Sequence, residues 1–284
     1  NTALDAVRLD VPDWLEPKLR SSLMRDFEAS LTALQTRAPL DLRVNIRKAT
    51  VAQVQASLGR DDIETNAVAN VTNALRVIKN PRRVALSKAY QDGLVEIQDA
   101  GSQAVIDALP MQGVNTVLDY CAGGGGKTLA LAAISDVQVD AYDQNKTRMK
   151  DLTVRAKRAG VLARVLNRDP VILGKTYDLV LLDVPCSGTG AWRRNPDGKW
   201  RFSDADLQDL IETQAGILAR CSKLVADGGI MAYVTCSLLY DENEAQIERF
   251  LATEENWDIS KSRRFNPSGE TDGFFLTVLQ VKQL

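Results

Sequence analysis

The sequence predicts an α/β protein: a mostly parallel sheet with helices on both faces over residues 89–284, behind a small α+β domain over 1–88. Three observations carry this. After residue 113 the pattern runs strand, turn, helix and repeats, as in chains whose parallel strands are joined by helical crossovers. Four consecutive glycines, Gly123 to Gly126, separate the first of those strands from its helix. The composition, 45% apolar and 25% charged over 284 residues, is that of an ordinary globular chain with room for one large or two modest domains.

In chain order, Leu15, Leu19, Leu23, Phe27, Leu31 and Leu34 recur every three to four residues, which predicts one helix over 15–35. DLRVNIRK reads as a short strand, and TVAQVQASLG as a helix started by Thr50 and stopped by Gly59. NALRVIKNPRR and GLVEIQD look extended. TVLDY is then a strand, CAGGGGKT a turn, LALAAI a short helix and VQVDAYD a second strand. KTRMKDLTVRAKRAG reads as a helix with Met149, Leu152, Ala156 and Ala159 on one face and Gly160 as its stop. ARVLN, YDLVLLDV and GGIMAYVT are further strands, with DLQDLIETQAGILARCSKLV a helix before the last. Ligands of such sheets bind beyond the carboxyl ends of the strands, and the unusual residues of this chain stand there.

The chain has no histidine, which excludes Ser-His-Asp and Cys-His catalysis and every histidine-containing metal site. Cys121, Cys186, Cys221 and Cys236 are separated by 65, 35 and 15 positions, so no metal site is expected. No apolar run approaches the roughly 18 residues of a membrane span. The opening NTALDAVRLDVPDWL has neither the basic cluster nor the apolar core of a signal peptide. A cytoplasmic protein with reduced thiols is the expectation. The net charge of −2 hides local imbalance: Lys146 to Arg168 holds eight basic residues against Asp151 alone, and RRNPDGKWR adds four against one. Such a stretch is either a solvated helix face or an RNA-phosphate surface, for which Arg155, Lys157 and Arg158 are candidates.

The glycine turn lets a ligand approach the backbone at a helix start. A phosphate-binding loop of the form GxxxxGKT would need glycine where Cys121 stands, and GxGxxG fails at Thr128. S-adenosylmethionine remains, with Asp143, 20 residues after Gly123 and at the end of the next strand, placed to grip a ribose.

Cys186, with Asp183 and Pro185, follows one strand, and Cys236, between Thr235 and Ser237, follows another 50 residues on. An isolated cysteine at a strand end is commonly a small buried hydrophobe; two of them at strand ends facing one cleft suit covalent catalysis. Pyrimidine C5 is too poor a nucleophile to take a methyl group directly. A thiolate adding at C6 makes the ring an enamine, an acid near N3 neutralises the developing charge, and a base removes the C5 proton. Two thiols and one carboxylate supply those roles without histidine.

VLDYCAGGGGKT, LLDVPCSGTG, YVTCSLLYDENE and TDGFFLTVLQVK resemble, in order, the segments of the Sun/Fmu-type, RsmB-like RNA cytosine-5 methyltransferases. The likeness covers residues 93–284, starting from GLVEIQDAGSQA, and DLRVNIRK resembles the RVN segment of the family's small amino-terminal domain. It implies a class I, Rossmann-like methyltransferase that uses S-adenosylmethionine to methylate cytosine in structured RNA, usually ribosomal. By position it implies that Cys121, Ala122, Gly123, Gly124, Gly125, Gly126 and Lys127 hold the methionine part, Asp143 the ribose and Asp169 the adenine. Asp183 would lie beside both cofactor and cytosine, Cys236 would be the nucleophile, and Cys186 would assist product release. The family loop usually reads CAAPGGKT, and Gly124 and Gly125 here are expected to stand in place of its Ala and Pro, which loosens the free loop.

Two other classes compete. A DNA cytosine-5 methyltransferase would use the cysteine after Pro185 as nucleophile and would not need the TCS segment. A non-catalytic RNA-binding or ribosome-assembly factor on the same fold would have no use for Cys236, Cys186 and Asp183 together.

Overall fold

The computed structural model describes residues 2–134 and 137–282. In chain order the elements begin with α1 (Thr2–Arg8), α2 (Glu16–Leu23), α3 (Phe27–Leu34), β1 (Asp41–Val44), α4 (Val51–Arg60), β2 (Thr65–Val68) and β3 (Val71–Val77). There follow α5 (Lys88–Gln91), β4 (Val95–Ile97), α6 (Ala100–Asp107), β5 (Thr116–Asp119), α7 (Gly126–Ile134), β6 (Gln138–Ala141), α8 (Leu152–Ala159) and β7 (Ala163–Val165). The rest are α9 (Pro170–Leu173), β8 (Tyr177–Asp183), α10 (Gly198–Arg201), α11 (Asp204–Cys221), β9 (Val225–Thr235), α12 (Glu244–Thr253), β10 (Trp257–Phe265) and β11 (Phe274–Val281). Two compact units result, one of residues 39–181 and one of 1–38 with 182–284, and β8 runs through the division.

In the 39–181 unit, a four-stranded antiparallel sheet has the order β2-β3-β1-β4, with Leu42 opposite both Leu75 and Ile97. Leu42, Val44, Val54, Leu58, Leu75 and Val95 form its core. Helix α4 starts where Thr50 accepts the Gln53 N–H and the Gln53 side chain returns the bond, a closed capping box. Next comes a parallel run in the order β8-β5-β6-β7, Val117 aligned with Leu179 on one side and Val139 on the other. Val117, Leu118 and the run Leu179–Leu182 are all buried, the unbroken apolar pattern of strands covered on both faces.

The helix expected over 146–160 is shorter. The Asn145 side chain accepts the Thr147 N–H and starts a tight 3-10 turn over Lys146–Met149; the α-helix runs from Leu152 and stops at Gly160, φ +69°. Its basic residues are not one exposed face either. Arg155 and Arg158 both turn onto Glu96, which is only 3% exposed, and the Arg158 guanidinium stacks 4.0 Å over the Tyr90 ring. Of the three candidate RNA contacts only Lys157 remains exposed. Positions 155 and 158 lie three apart, one helical turn, and anchor α8 to the β4 carboxylate.

In the unit of 1–38 and 182–284, the expected single helix over 15–35 breaks at Met24, whose φ of +51° an L-residue rarely adopts. A 3-10 turn over Met24–Asp26 joins α2 to α3. The apolar face survives the break: Leu15, Leu19, Leu23, Phe27 and Leu31 pack on Trp192, Leu207, Leu238 and Leu239. The compact units part at 38/39 and 181/182. Strand β11 lies between β10 and β9, antiparallel to each, with Phe274 opposite Phe265 and Phe275 opposite Thr235. Just past β8, Val184 donates its N–H to Val234 O at 3.1 Å.

Candidate active site

Both strand ends that carry a Pro-Cys-Ser or Thr-Cys-Ser sequence meet. Cys186, three residues past the end of β8, and Cys236, one past the end of β9, bring their sulfurs to 3.4 Å, and both residues are half-buried. The hydrogen bond with Cys236 and burial, together with the negative charge of Cys236 and Glu242, push the Cys186 thiol well above its ordinary range. Cys186 thus holds its proton more tightly than an ordinary thiol, and either sulfur can be the donor across the pair. Asp183 ends β8 in the same unit, half-buried.

The turns around the cysteines are held by hydrogen bonds, not by apolar packing alone. The Ser187 N–H and Gln214 Nε2 donate to Glu242 Oε1 at 2.8 and 2.9 Å, and the hydroxyls of Ser187 and Ser237 both donate to Glu242 Oε2. Asn243 Nδ2 donates to Ser237 O at 2.9 Å, and Asn243 Oδ1 accepts the Thr235 hydroxyl at 2.6 Å. Behind them, Gly190 donates its N–H to Cys236 O at 2.9 Å. Ser187, Ser237, Glu242, Asn243 and Gln214 were not among the expected site residues. The serine repeated after each cysteine and the acids of DENE were the available signals; nothing around Gln214 marked it.

The glycine turn is built within the other unit. Gly123 and Gly125 take left-handed φ values of +52° and +80°, and a Cβ on Gly125 would lie 2.3 Å from Leu152 Cδ1. Counted from Cys121, the family's Ala and Pro fall on Gly123 and Gly124, not on Gly124 and Gly125. Arg43 of the RVN segment, buried, donates to Gly126 O at 2.8 Å, and burial pulls its guanidinium down to about 10. Asn45 donates to Gly93 O and Ala159 O. Arg43 and Asn45 therefore brace the glycine turn and the end of α8.

Asp143, 5% exposed, accepts the Gly123 N–H on Oδ2 and the Asn145 N–H on Oδ1, both at 2.8 Å, with Arg148 3.5 Å away. A carboxylate oxygen accepts two hydrogen bonds. After those two backbone bonds each oxygen retains one acceptor position, the one on Oδ2 facing Arg148, so a ribose hydroxyl there would displace that 3.5 Å ion pair. The Asp169 carboxylate caps α9 by accepting the Val171 N–H at 2.9 Å and takes the Tyr120 hydroxyl at 3.4 Å. The Tyr120 and Tyr142 rings pack with centroids 5.1 Å apart, an aromatic platform beside that carboxylate. The residues present fit a nucleoside-bearing cofactor. The structure brings Gly123, Asp143 and Arg148 together, separately joins Tyr120 to Asp169, and groups Cys186 with Cys236. Among the described residues no group of three or more Cys, Asp and Glu can hold a metal, and no helix is long and apolar enough to cross a membrane.

Residues 106–280 match the 16S rRNA methyltransferase RsmB/F family, and residues 11–85 match the ferredoxin-like domain of RsmF/B-like methyltransferases. "Ribosomal RNA small subunit methyltransferase B" of Vibrio cholerae is 34% identical over 98% of this chain and 67% of its own length. "Probable ribosomal RNA small subunit methyltransferase B" of Synechocystis is 34% identical over 95% and 63%. The chain thus spans about two-thirds or less of the curated relatives it matches. The crystal structure of PH0851 superposes with a TM-score of 0.91 at 28% identity, over 99% of this chain and 68% of that one. With S-adenosylmethionine the cofactor of such methyltransferases, and with matched regions covering both the cysteine turns and the glycine turn, the chain belongs to the 16S rRNA methyltransferase RsmB/F family.

Proposed function

We propose that this chain methylates C5 of a cytosine in RNA, 16S ribosomal RNA being the expected substrate, through a covalent bond between Cys236 and the base. The observation that carries this reading is the 3.4 Å pair of sulfurs in which Cys186 keeps the proton. With the Cys186 proton held in place, Cys236 is the sulfur that adds to C6. Bound S-adenosylmethionine supplies the electrophilic methyl group. Asp143 and the Gly123–Gly126 turn bind and orient the cofactor's nucleoside and methionine parts, with Asp169 towards the base.

Asp183, on the N3 side of the cytosine, acts as the acid that gives N3 a proton as the sulfur adds and takes it back when the Cys236–C6 bond breaks. Once Cys236 is a thioether, it no longer holds the Cys186 proton by charge or hydrogen bond. Cys186 then loses that proton to solvent and takes the one on C5, which lets the Cys236–C6 bond break. Residues 1–88 are the RNA-facing part in this reading, with 89–284 carrying the chemistry.

The test is a division of labour. Cys236→Ala has no thiol to add to C6 and should give neither turnover nor adduct. Cys186→Ala should add and transfer the methyl group, then stall as a protein–RNA adduct that survives a denaturing gel and carries methyl label. The reversed pattern, an adduct from Cys236→Ala and none from Cys186→Ala, would assign the chemistry to a DNA-type mechanism.

A further inference from the structure

Glu242 closes the 3-10 turn Tyr240–Glu242 and is fully buried, its backbone carbonyl fixed by the Tyr233 hydroxyl at 2.7 Å. Its carboxylate reaches the residue after each cysteine: Ser187 by N–H and hydroxyl, Ser237 by hydroxyl. Gln214, on α11, fills the fourth position and also donates to Pro185 O at 2.9 Å, so the residue before Cys186 is held too. All four partners are donors, and each carboxylate oxygen takes two, its full capacity. Among the described residues no cation pairs with Glu242. A buried carboxylate without a counter-ion is costly unless its hydrogen bonds are complete, and here the bonds that complete it are those that join two turns 50 residues apart.

We propose that Glu242 is a positioning residue that fixes the separation and orientation of the Cys186 and Cys236 thiols while touching neither the cytosine nor the cofactor. The proposal rests on the reading of those two cysteines as the reacting pair. Without the carboxylate, Ser187 and Ser237 keep only longer hydroxyl contacts, 3.2 Å to each other and 3.4 and 3.2 Å to Thr189 Oγ1, so the Pro-Cys-Ser turn is held more loosely on the Thr-Cys-Ser turn. The charge has a second consequence. The negative charge of Glu242 opposes a second negative charge at Cys186, and so helps to keep the proton on that thiol.

Glu242→Gln separates the two effects. Its amide oxygen can accept from Ser187 N–H and Gln214, and its amide nitrogen can donate to the two hydroxyls, which rotate to accept. The shape of the clamp is kept and the charge is lost. Ser187→Ala/Ser237→Ala does the converse, keeping the charge and removing the link. Three measurements read the outcome on the full chain: kcat and KM for RNA, bridging of the two thiols by phenylarsine oxide, and the pH profile of Cys186 alkylation followed by mass spectrometry. A trivalent arsenical needs two neighbouring thiols, and Cys186→Ala sets its background.

Glu242→Gln should bridge arsenic as the wild type does, alkylate at Cys186 from a lower pH, and lose roughly 10-fold in kcat with KM within about twofold. The double serine variant should bridge arsenic poorly and lose roughly 100-fold in kcat, the cost of misplacing reacting groups by about an ångström. Wild-type kcat, bridging and alkylation profile in both variants would overturn the proposal. The arsenical and alkylation readouts use no RNA. If they change as expected while the wild type methylates no cytosine, the clamp stands and the assigned reaction falls.

Discussion

Gly190 and Cys236 share a hydrogen bond that leaves no room for a side chain. Gly190 donates to the Cys236 carbonyl at 2.9 Å, and a Cβ on residue 190 would lie 2.9 Å from that same oxygen and 2.4 Å from Gly273 O. Both obstacles are backbone atoms, so neither can swing away. Gly190→Ala should therefore push the Cys236 turn outward, at a cost of about 1–3 kcal/mol from overpacking and at least a roughly 100-fold fall in kcat. Urea unfolding and single-turnover methylation measure the two effects; an alanine variant with wild-type kcat would mean that the turn yields without moving the sulfur.

Glu96 receives two guanidinium groups while itself buried, and Arg43 lies close enough for their charges to interact. Glu96→Ala leaves cationic groups facing each other without an anion. Removing one partner of a buried pair costs about 3–5 kcal/mol; Arg155 and Arg158 are about one-fifth exposed, so roughly 2–3 kcal/mol is expected here, read as the shift in urea midpoint at constant m. A loss below about 0.5 kcal/mol would show that α8 is held by its apolar face alone.

RNA affinity should come from the cations that stay in solvent. Lys146, Lys150 and Lys157 are exposed, and their joint replacement by Ala should flatten the plot of log affinity against log salt by about 2–3, at roughly 0.7–0.9 per lost phosphate contact. The pair Arg155→Ala/Arg158→Ala should instead lower the melting temperature. An unchanged slope for the lysine variant would make those residues a solvated helix face.

Asp143→Ala removes the acceptor of the Gly123 N–H and the expected acceptor of a ribose. Binding of S-adenosylhomocysteine should weaken tenfold or more, about 1.4 kcal/mol per decade. Calorimetry with ATP as control checks the class of ligand: comparable ATP binding with no response to S-adenosylhomocysteine would overturn the cofactor assignment for this turn.

The raised Cys186 thiol also makes stability depend on pH. Above the pH at which an unfolded thiol ionises, near 8.5, the folded chain still holds the Cys186 proton that the unfolded chain has lost. Stability is thus complete below that pH and falls as pH rises towards the folded value. Between pH 8 and 10.5 the wild-type melting temperature should fall faster than that of Cys186→Ser, which has no proton to lose there. Parallel melting curves would contradict the assigned proton.

Much of this was legible in the sequence because the deciding signals are local. β8 carries the unbroken apolar run Leu179–Leu182, Gly160 ends α8 at the expected residue, and both cysteines stand just past strands. What escaped depends on partners far along the chain. Periodicity cannot show that Met24 interrupts a helix, because the apolar face continues on both sides of it. A run of basic residues reads as surface until a glutamate 59 positions from Arg155 turns out to be buried beneath it. The function of DENE was hidden in the same way: Glu242 acquires its meaning only from Ser187, 55 residues earlier.

The place of β11 between β9 and β10 bears on the order in which the protein assembles. Synthesis proceeds from the amino end, so β9 and β10 exist before the strand that separates them. In that interval β9 offers an open edge, with Tyr233 and Val234 of its apolar run beside it, to any other extended chain. Pairing β9 with β10 directly would be a trap, because it closes the slot between them that residues 274–281 fill. The Cys236 turn, with Phe275 opposite Thr235, is therefore among the last parts of its unit to set. A nascent chain halted before residue 274 would carry both cysteines yet no finished site.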